Sequence, residues 1–449
     1  MAKQTVTFNC ATCGYRPPKW LGCCPECNTW GSIAELKQTT VGKTTFTTAT
    51  RSSSLTPLTH VSVKEQERMY CGIDEWDRVL GGGIVRGSFL ILTGDPGIGK
   101  STLLLQITHR LAQRYRVFYF SSEESLPQIR SRAERLGCLH DNLLCSDEAE
   151  LDSIIATATQ EKPDIIIIDS IQNCYHAQSQ VLPGSIGQLR EAGFALMRLA
   201  KEHNIATLLT GHITKEGTIA GPKMLEHMVD GVFYLQGEDR WQTRMLRSVK
   251  NRFGSLGELG FFQMEANGMQ EMPDINKHMV SEASHSPGAV LMSSLEGSRP
   301  VLLEVQALLV PTKFGMPQRV ISGADQKQVL LIAAILEKYL HIKLSAHDLF
   351  LKVSGGFRIK DNSADLAIAL ALLSSYFQQA IPAQSIALAE ISLTGHIKPI
   401  NQITTHIKEA QKFGFHHLLT AYNQKIDDTT LKIMRFSSVY DLMHLFQEA

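Results

Sequence analysis

Long apolar runs are missing from this sequence. The longest, Val329–Leu336 and Leu366–Leu373, fall far short of the roughly 18 residues that span a bilayer. The opening MAKQTVTFNC carries no apolar leader, so the expectation is a cytoplasmic protein with no membrane partner. Neither sign of charge is in excess. The 44 basic and 44 acidic side chains cancel, so any nucleic acid must be met by local patches. No internal repeat of about 20–50 residues is present, which excludes a solenoid. What remains is ordinary globular composition, with 43% hydrophobic and 20% charged residues. At 449 residues the chain exceeds a single core, and two or three domains are expected.

Nine cysteines are unevenly spread. Cys10, Cys13, Cys24 and Cys27 form C-x₂-C-x₁₀-C-x₂-C, two facing knuckles with the spacing of a tetrahedral Zn²⁺ site. So short a segment buries little apolar surface, so metal has to supply its folding energy, about 10–16 kcal/mol in comparable peptides. A closed four-sulfur shell leaves no open position for catalysis. Cys23 stands beside Cys24 and leaves open which of the two is the ligand. Lys19, Trp20 and Trp30 offer contacts to nucleic acid, or the tryptophans form a small core.

The zinc segment is taken as 1–36 and a Thr/Ser-rich linker as 37–68. From 69 to 270 short apolar runs alternate with longer amphipathic ones, the rhythm of an α/β domain with a mainly parallel sheet. Strands are expected at Phe89–Thr93, Val117–Ser121, Ile165–Asp169 and Ala206–Thr210. Residues 271–288 read as an irregular connection, and 289–449 as a second α/β domain.

The buried strand Phe89–Thr93 runs into GDPGIGKST, the phosphate-binding loop motif in its required strand–loop–helix setting. Gly94, Asp95, Pro96, Gly97, Ile98, Gly99, Lys100, Ser101 and Thr102 are therefore the expected ATP-binding residues. Glycines let backbone N–H groups surround phosphate at the positive end of a helix. Lys100 is expected on the β- and γ-phosphates and Ser101 on Mg²⁺. PDIIIIDS reads as a second buried strand, placing Asp169 as the other Mg²⁺-site carboxylate. A helix N-cap by Asp169 or Ser170 is the bland alternative. Either Glu123 or Glu124, after VFYFSS, can orient the attacking water. Glu123, nearer the strand, is preferred. His212, ending ATLLTG, is placed to sense a γ-phosphate.

The order YCGIDEWDRVLGGGIVRGS, GDPGIGKST, YFSSEES, IIIIDS, TGHITKEG and KNRFG resembles the RadA (Sms) family of bacterial RecA-like repair proteins over nearly the whole chain. KWLGCCPECNTWG fits that family's zinc finger. The resemblance implies a RecA-type core assembled as a homohexamer on single-stranded and branched DNA, working beside a RecA-type recombinase as a branch-migration motor. It further implies that Lys250 and Arg252 of KNRFG reach a neighbour's nucleotide. Ile213–Asp230, with Lys215 and Lys223, is similar to the family's DNA-facing loop.

Ser345–Ala449 resembles the proteolytic domain of Lon, a serine–lysine protease. Ser363 falls at the serine position, but Thr404 occupies the lysine position, while Lys398 and Lys408 are out of register. A hydroxyl without its base is a poor nucleophile, so the domain reads as a scaffold rather than a protease. Lys343, Lys352, Arg358 and Lys360 offer it a basic patch. A non-motor RecA-like ATP switch or phosphotransferase is the rival reading of the whole chain.

Overall fold

A computed structural model of the chain describes residues 7–12, 15, 17, 19–36, 57–60, 67–177, 185–212, 224–238, 243–313, 315–359, 361–427 and 429–446. It divides into two compact units, Met1–Glu271 and Met272–Ala449. Most of the expected 37–68 linker lies outside the described residues, although Arg68 already belongs to a strand.

The first unit opens with β1 (Thr7–Cys10) antiparallel to β2 (Ile33–Leu36). Their small core is Cys10, Cys24 and Ile33 with Phe8, Tyr15, Leu21 and Cys27 packed on it. The tryptophans are not part of that core. Trp20 is 60% and Trp30 80% exposed, because aliphatic and sulfur atoms already fill the space between the knuckles.

A short ribbon of β3 (Arg68–Met69) and β4 (Ile84–Val85) brackets α1 (Asp74–Val79). The main sheet follows: β5 (Phe89–Gly94), β6 (Val117–Ser121), β7 (Leu143–Ser146), β8 (Ile165–Asp169), β9 (Ala206–His212), β10 (Gly231–Glu238), β11 (Thr243–Asn251), β12 (Leu259–Glu265) and β13 (Gly268–Glu271). Its order is β13-β12-β11-β10-β5-β9-β8-β6-β7. Strands β10 through β7 in that order pair in parallel, and β11 to β13 add antiparallel to β10. Interleaved are α2 (Lys100–Ala112), α3 (Leu126–Leu136), α4 (Leu151–Glu161), α5 (Ile186–His203) and α6 (Met224–Met228).

The four strands read from sequence are all present, two of them slightly longer than expected, and their apolar composition explains why. Alternate residues of β5 feed two cores. Leu90 and Leu92 pack with Leu103, Leu104 and Ile107 of α2, while Phe89 and Ile91 pack with Ile154 of α4 and Leu189 and Leu196 of α5. A strand buried on both faces needs apolar residues at every position, as in IIIID of β8.

The second unit corrects one expectation. Residues 271–288 are not simply irregular, because Ile275–Glu282 form α7. Ile275 and Met279, four apart, bury on one side of this short helix, and Asn276 donates to the Pro300 carbonyl and accepts from Leu302 N–H. Eight residues are too few for a clear helical period in sequence. Then come β14 (Ala289–Glu296), β15 (Arg299–Pro311), β16 (Arg319–Ser322), α8 (Gln326–Leu340), β17 (His347–Val353), α9 (Asp365–Phe377), β18 (Ser385–Leu388), β19 (Glu390–Ile391), β20 (Ile397–Lys398), α10 (Ile403–Lys412), β21 (His417–Ala421) and β22 (Lys432–Phe436). The larger sheet runs β16-β17-β15-β14-β18-β21-β22. Asp365–Ser375 of α9 are all buried, as expected of a helix apolar on every side.

Within this unit Ser363 is buried, and its hydroxyl has no hydrogen-bond partner among the described residues. Thr404 points to solvent from α10, and the residue that turns inward is His406. Its Nδ1 lies 2.8 Å from the Ser293 hydroxyl, and burial pushes its pKa down to about 4. Among the described residues no helix is long and apolar enough to cross a membrane.

Candidate functional site

Register gathers the chemistry at one edge of the main sheet. Gly94 pairs with His212, and Ser121 with Asp169, so β5, β6, β8 and β9 end together. Ligands collect at this carboxyl edge in open α/β sheets. From β5 the chain turns through residues 95–99 into α2, whose N-cap is Gly99 at φ 109°. That conformation suits only glycine, and a Cβ there would fall 2.3 Å from the Met269 Cε.

Lys100, the first residue of α2, is buried. Its Nζ donates to the carbonyls of Gly94 at 2.9 Å and Asp95 at 3.0 Å. Desolvation lowers its pKa, and the charges of Asp169, Glu123 and Asp95 oppose that fall. The residues named from sequence therefore share one electrostatic site, with Ser101 and Thr102 half-buried beside Lys100.

Asp169 is buried with both oxygens occupied. Tyr119 donates its phenol at 2.6 Å and Thr210 its hydroxyl at 2.7 Å. Burial, then the Asp169 charge, drives the Tyr119 pKa well up, which keeps its proton on the phenol as a donor. Thus Asp169 is fixed by side chains from the strands on either side of β8 and is not a helix cap. The two glutamates are also separated. Glu124 pairs with Arg132 of α3, whereas Glu123 accepts from the Ser170 hydroxyl, next to Asp169. Only the second arrangement leaves a carboxylate facing Lys100. The side chain of His212 and residues 213–223, including Lys215 and Lys223, lie outside the described residues. Met224–Met228 form α6, so the expected Ile213–Asp230 loop ends earlier than its sequence suggests.

Lys250 and Arg252 do not join this cluster. The Arg252 guanidinium is 3.1 Å from Asp230, itself bonded to Lys201 and to the Phe89 N–H at 3.0 Å. Phe89 begins β5 and Gly94 ends it, so these cations sit at the opposite edge of the sheet, about 16 Å away at the usual strand rise. Lys250 Nζ donates to the Glu226 carbonyl, and its pKa is lowered by desolvation first and by Arg252 second. Tyr119 and Thr210 were not singled out in sequence, and Ser170 only as a possible helix cap. Their signal lies in strand pairing, which no local motif carries.

In the N-terminal segment the sulfurs of Cys10, Cys24 and Cys27 lie within 4.8 Å of one another. Cys10 and Cys27 are 3.7 Å apart, near the roughly 3.8 Å between thiolates on one tetrahedral Zn²⁺. The donor set fits that ion. Cys13 lies outside the described residues. The Cys23 thiol sits at the Cys24 carbonyl instead of in the sulfur cluster.

A phosphate loop on a mainly parallel sheet, with a buried carboxylate on the neighbouring strand end and antiparallel strands beyond, defines a RecA-like P-loop ATPase. Comparison with known proteins agrees: an AAA domain family matches residues 63–218, the rubredoxin metal binding domain residues 8–35, and subunit ChlI of Mg-chelatase residues 314–424. DNA repair protein RadA of Listeria monocytogenes is 42% identical over 94% of this chain and 93% of its own length. That of Aquifex aeolicus is 39% identical over 99% and 100%, and that of Streptococcus pyogenes serotype M1 43% over 92% of both. The chain belongs to the RadA family of DNA repair proteins, with a zinc ribbon at its N-terminus and a ChlI/Lon-like domain at its C-terminus. Among solved structures, the RadB recombinase aligns with 45% of this chain and 99% of its own at a TM-score of 0.37 and 20% identity. A DnaB-like replicative helicase aligns with 46% and 62% at 0.40 and 15%.

Proposed function

We propose that this protein is a DNA-dependent ATPase of homologous recombination and repair, a cytoplasmic ring motor that drives branch migration on single-stranded and branched DNA beside a RecA-type recombinase. The observation that supports it is that the two sets of candidate residues stand at opposite edges of one sheet. Lys100, Glu123 and Asp169 stand at the carboxyl edge, and Lys250 and Arg252 at the other. A cation so placed cannot serve its own chain's phosphates, but in a ring it faces a neighbour's. Ser101 and Asp169 would hold Mg²⁺, which when bound would neutralise charge on the phosphates of ATP. Asp169 is held for this by Tyr119 and Thr210, and Glu123 by Ser170, to orient the attacking water. The exposed Trp20 and Trp30 support stacking on unpaired bases by the ribbon. A buried Ser363 with no hydrogen-bond partner among the described residues and a solvent-facing Thr404 support a scaffold role for the Lon-like domain.

The deciding experiment is ATP hydrolysis by the purified chain with and without single-stranded DNA. Marked stimulation is expected, and turnover indifferent to DNA favours the switch reading. Metal analysis tests the ribbon separately: one zinc per chain, retained in Cys23→Ser and lost in Cys13→Ser and Cys24→Ser. Freshly purified protein without zinc would remove the claim.

A further inference from the structure

The phosphate loop is clamped from outside by a residue that no nucleotide-binding motif contains. Arg244 lies on β11, opposite Gly237 of β10. Its Nε donates to the Ile98 carbonyl at 3.1 Å, and its Nη1 donates to the Thr243 carbonyl at 3.2 Å, which fixes the guanidinium at two points. The approach depends on Gly237. A Cβ there would fall 2.4 Å from the Ile98 Cδ1 and 3.3 Å from the Arg244 Nη1.

The consequence follows from peptide geometry. The Ile98 carbonyl and the Gly99 N–H belong to one planar trans unit and point in opposite directions. Drawing the carbonyl outward to Arg244 therefore turns the Gly99 N–H inward, at the start of α2 where backbone donors meet phosphate. Gly99 at φ 109° has no side chain to hold that peptide, so the orientation must be imposed from elsewhere. The geometry points to Arg244 as a positioning residue for ATP: it sets the direction of one phosphate-binding N–H without touching the nucleotide. A glycine-rich loop free to flip this peptide would present a carbonyl to the phosphates instead, and binding would suffer more than chemistry.

The proposal rests on the ATP-binding reading, whose own failure would appear in the wild-type chain and not only in the variant. The test is a titration of the full chain with N-methylanthraniloyl-ATP, together with steady-state hydrolysis of MgATP, for Arg244→Met and Arg244→Lys. Methionine keeps packing over Gly237 but loses the donor, so Kd and KM are expected to rise about ten- to a hundredfold, as for a lost charged hydrogen bond. At saturating ATP, kcat stays within about threefold of wild type. Lysine, which keeps a donor able to reach Ile98, recovers at least a third of the lost affinity on a logarithmic scale. Kd and KM within twofold of wild type for Arg244→Met would overturn the assignment. So would a fall in kcat at unchanged KM, or no recovery with lysine. Where Arg244→Met melts more than a few degrees low, Arg244→Leu is read in its place, since it keeps apolar packing over Gly237 and has no donor for Ile98.

Discussion

Lys100→Ala is expected to cut ATP turnover by at least about a hundred- to a thousandfold, the cost of removing one preorganised charge from a transition state. The environment makes this a lower bound. Lys100 is buried among Asp95, Glu123 and Asp169, whose charges act on it directly. Without the ammonium, those carboxylates face the triphosphate with no fixed cation between them, and repulsion adds to the lost attraction. The loop itself is expected to survive, because Asp95, Pro96 and Gly97 are exposed and water can take the place of the ammonium at the Asp95 carbonyl. Phosphate release is the measurement. Steady-state turnover within threefold of wild type would mean that the loop is not the ATPase site.

Arg252→Ala should be as severe for a different reason. A trans-acting cation is worth about 10³–10⁵ in rate, while nucleotide affinity, which depends on the other sheet edge, stays near wild type. Folding is expected to tolerate the change. The Arg252 side chain is 59% exposed, and Asp230 keeps Lys201 and the Phe89 N–H after its removal. The discriminating measurement mixes Arg252→Ala chains with Lys100→Ala chains, each inactive alone. Mixed rings contain interfaces that join an intact Lys100 site to an intact Arg252, so activity returns. If mixed assembly is shown independently and no activity appears, the trans role is lost, and the site around Lys100 stands on its own residues.

Much of the ATPase core was readable in the sequence because its signals are local. GDPGIGKST is contiguous, and the four isoleucines of β8 announce a strand buried on both faces. The choice between Glu123 and Glu124 was not readable. Glu123 was preferred only for its nearness to the strand; the partners that separate the two glutamates, Ser170 and Arg132, are brought to them only by folding. The same holds for Arg244, which meets Ile98 from 146 residues away. Cys23 and Cys24 are chemically identical neighbours, and the turn between the knuckles separates them. Helix α7 escaped because eight residues hold barely two turns of pattern. The tryptophans of the ribbon were ambiguous for a related reason: an aromatic in a small module can serve its core or its surface, and neighbouring residues had already taken the core.

Asp230 gives β5 a mechanical character. Its carboxylate holds the first N–H of the strand and the Arg252 guanidinium together, while the far end of the same strand carries the phosphate loop. A β-strand buried on both faces is stiff along its length, so in the proposed ring it would act as a strut between its own chain's nucleotide site and its neighbour's. On that proposal, a shift of the phosphate loop at one site would reach the next as a displacement of Arg252. The proposed ring would then couple successive sites through its strands rather than through its loops.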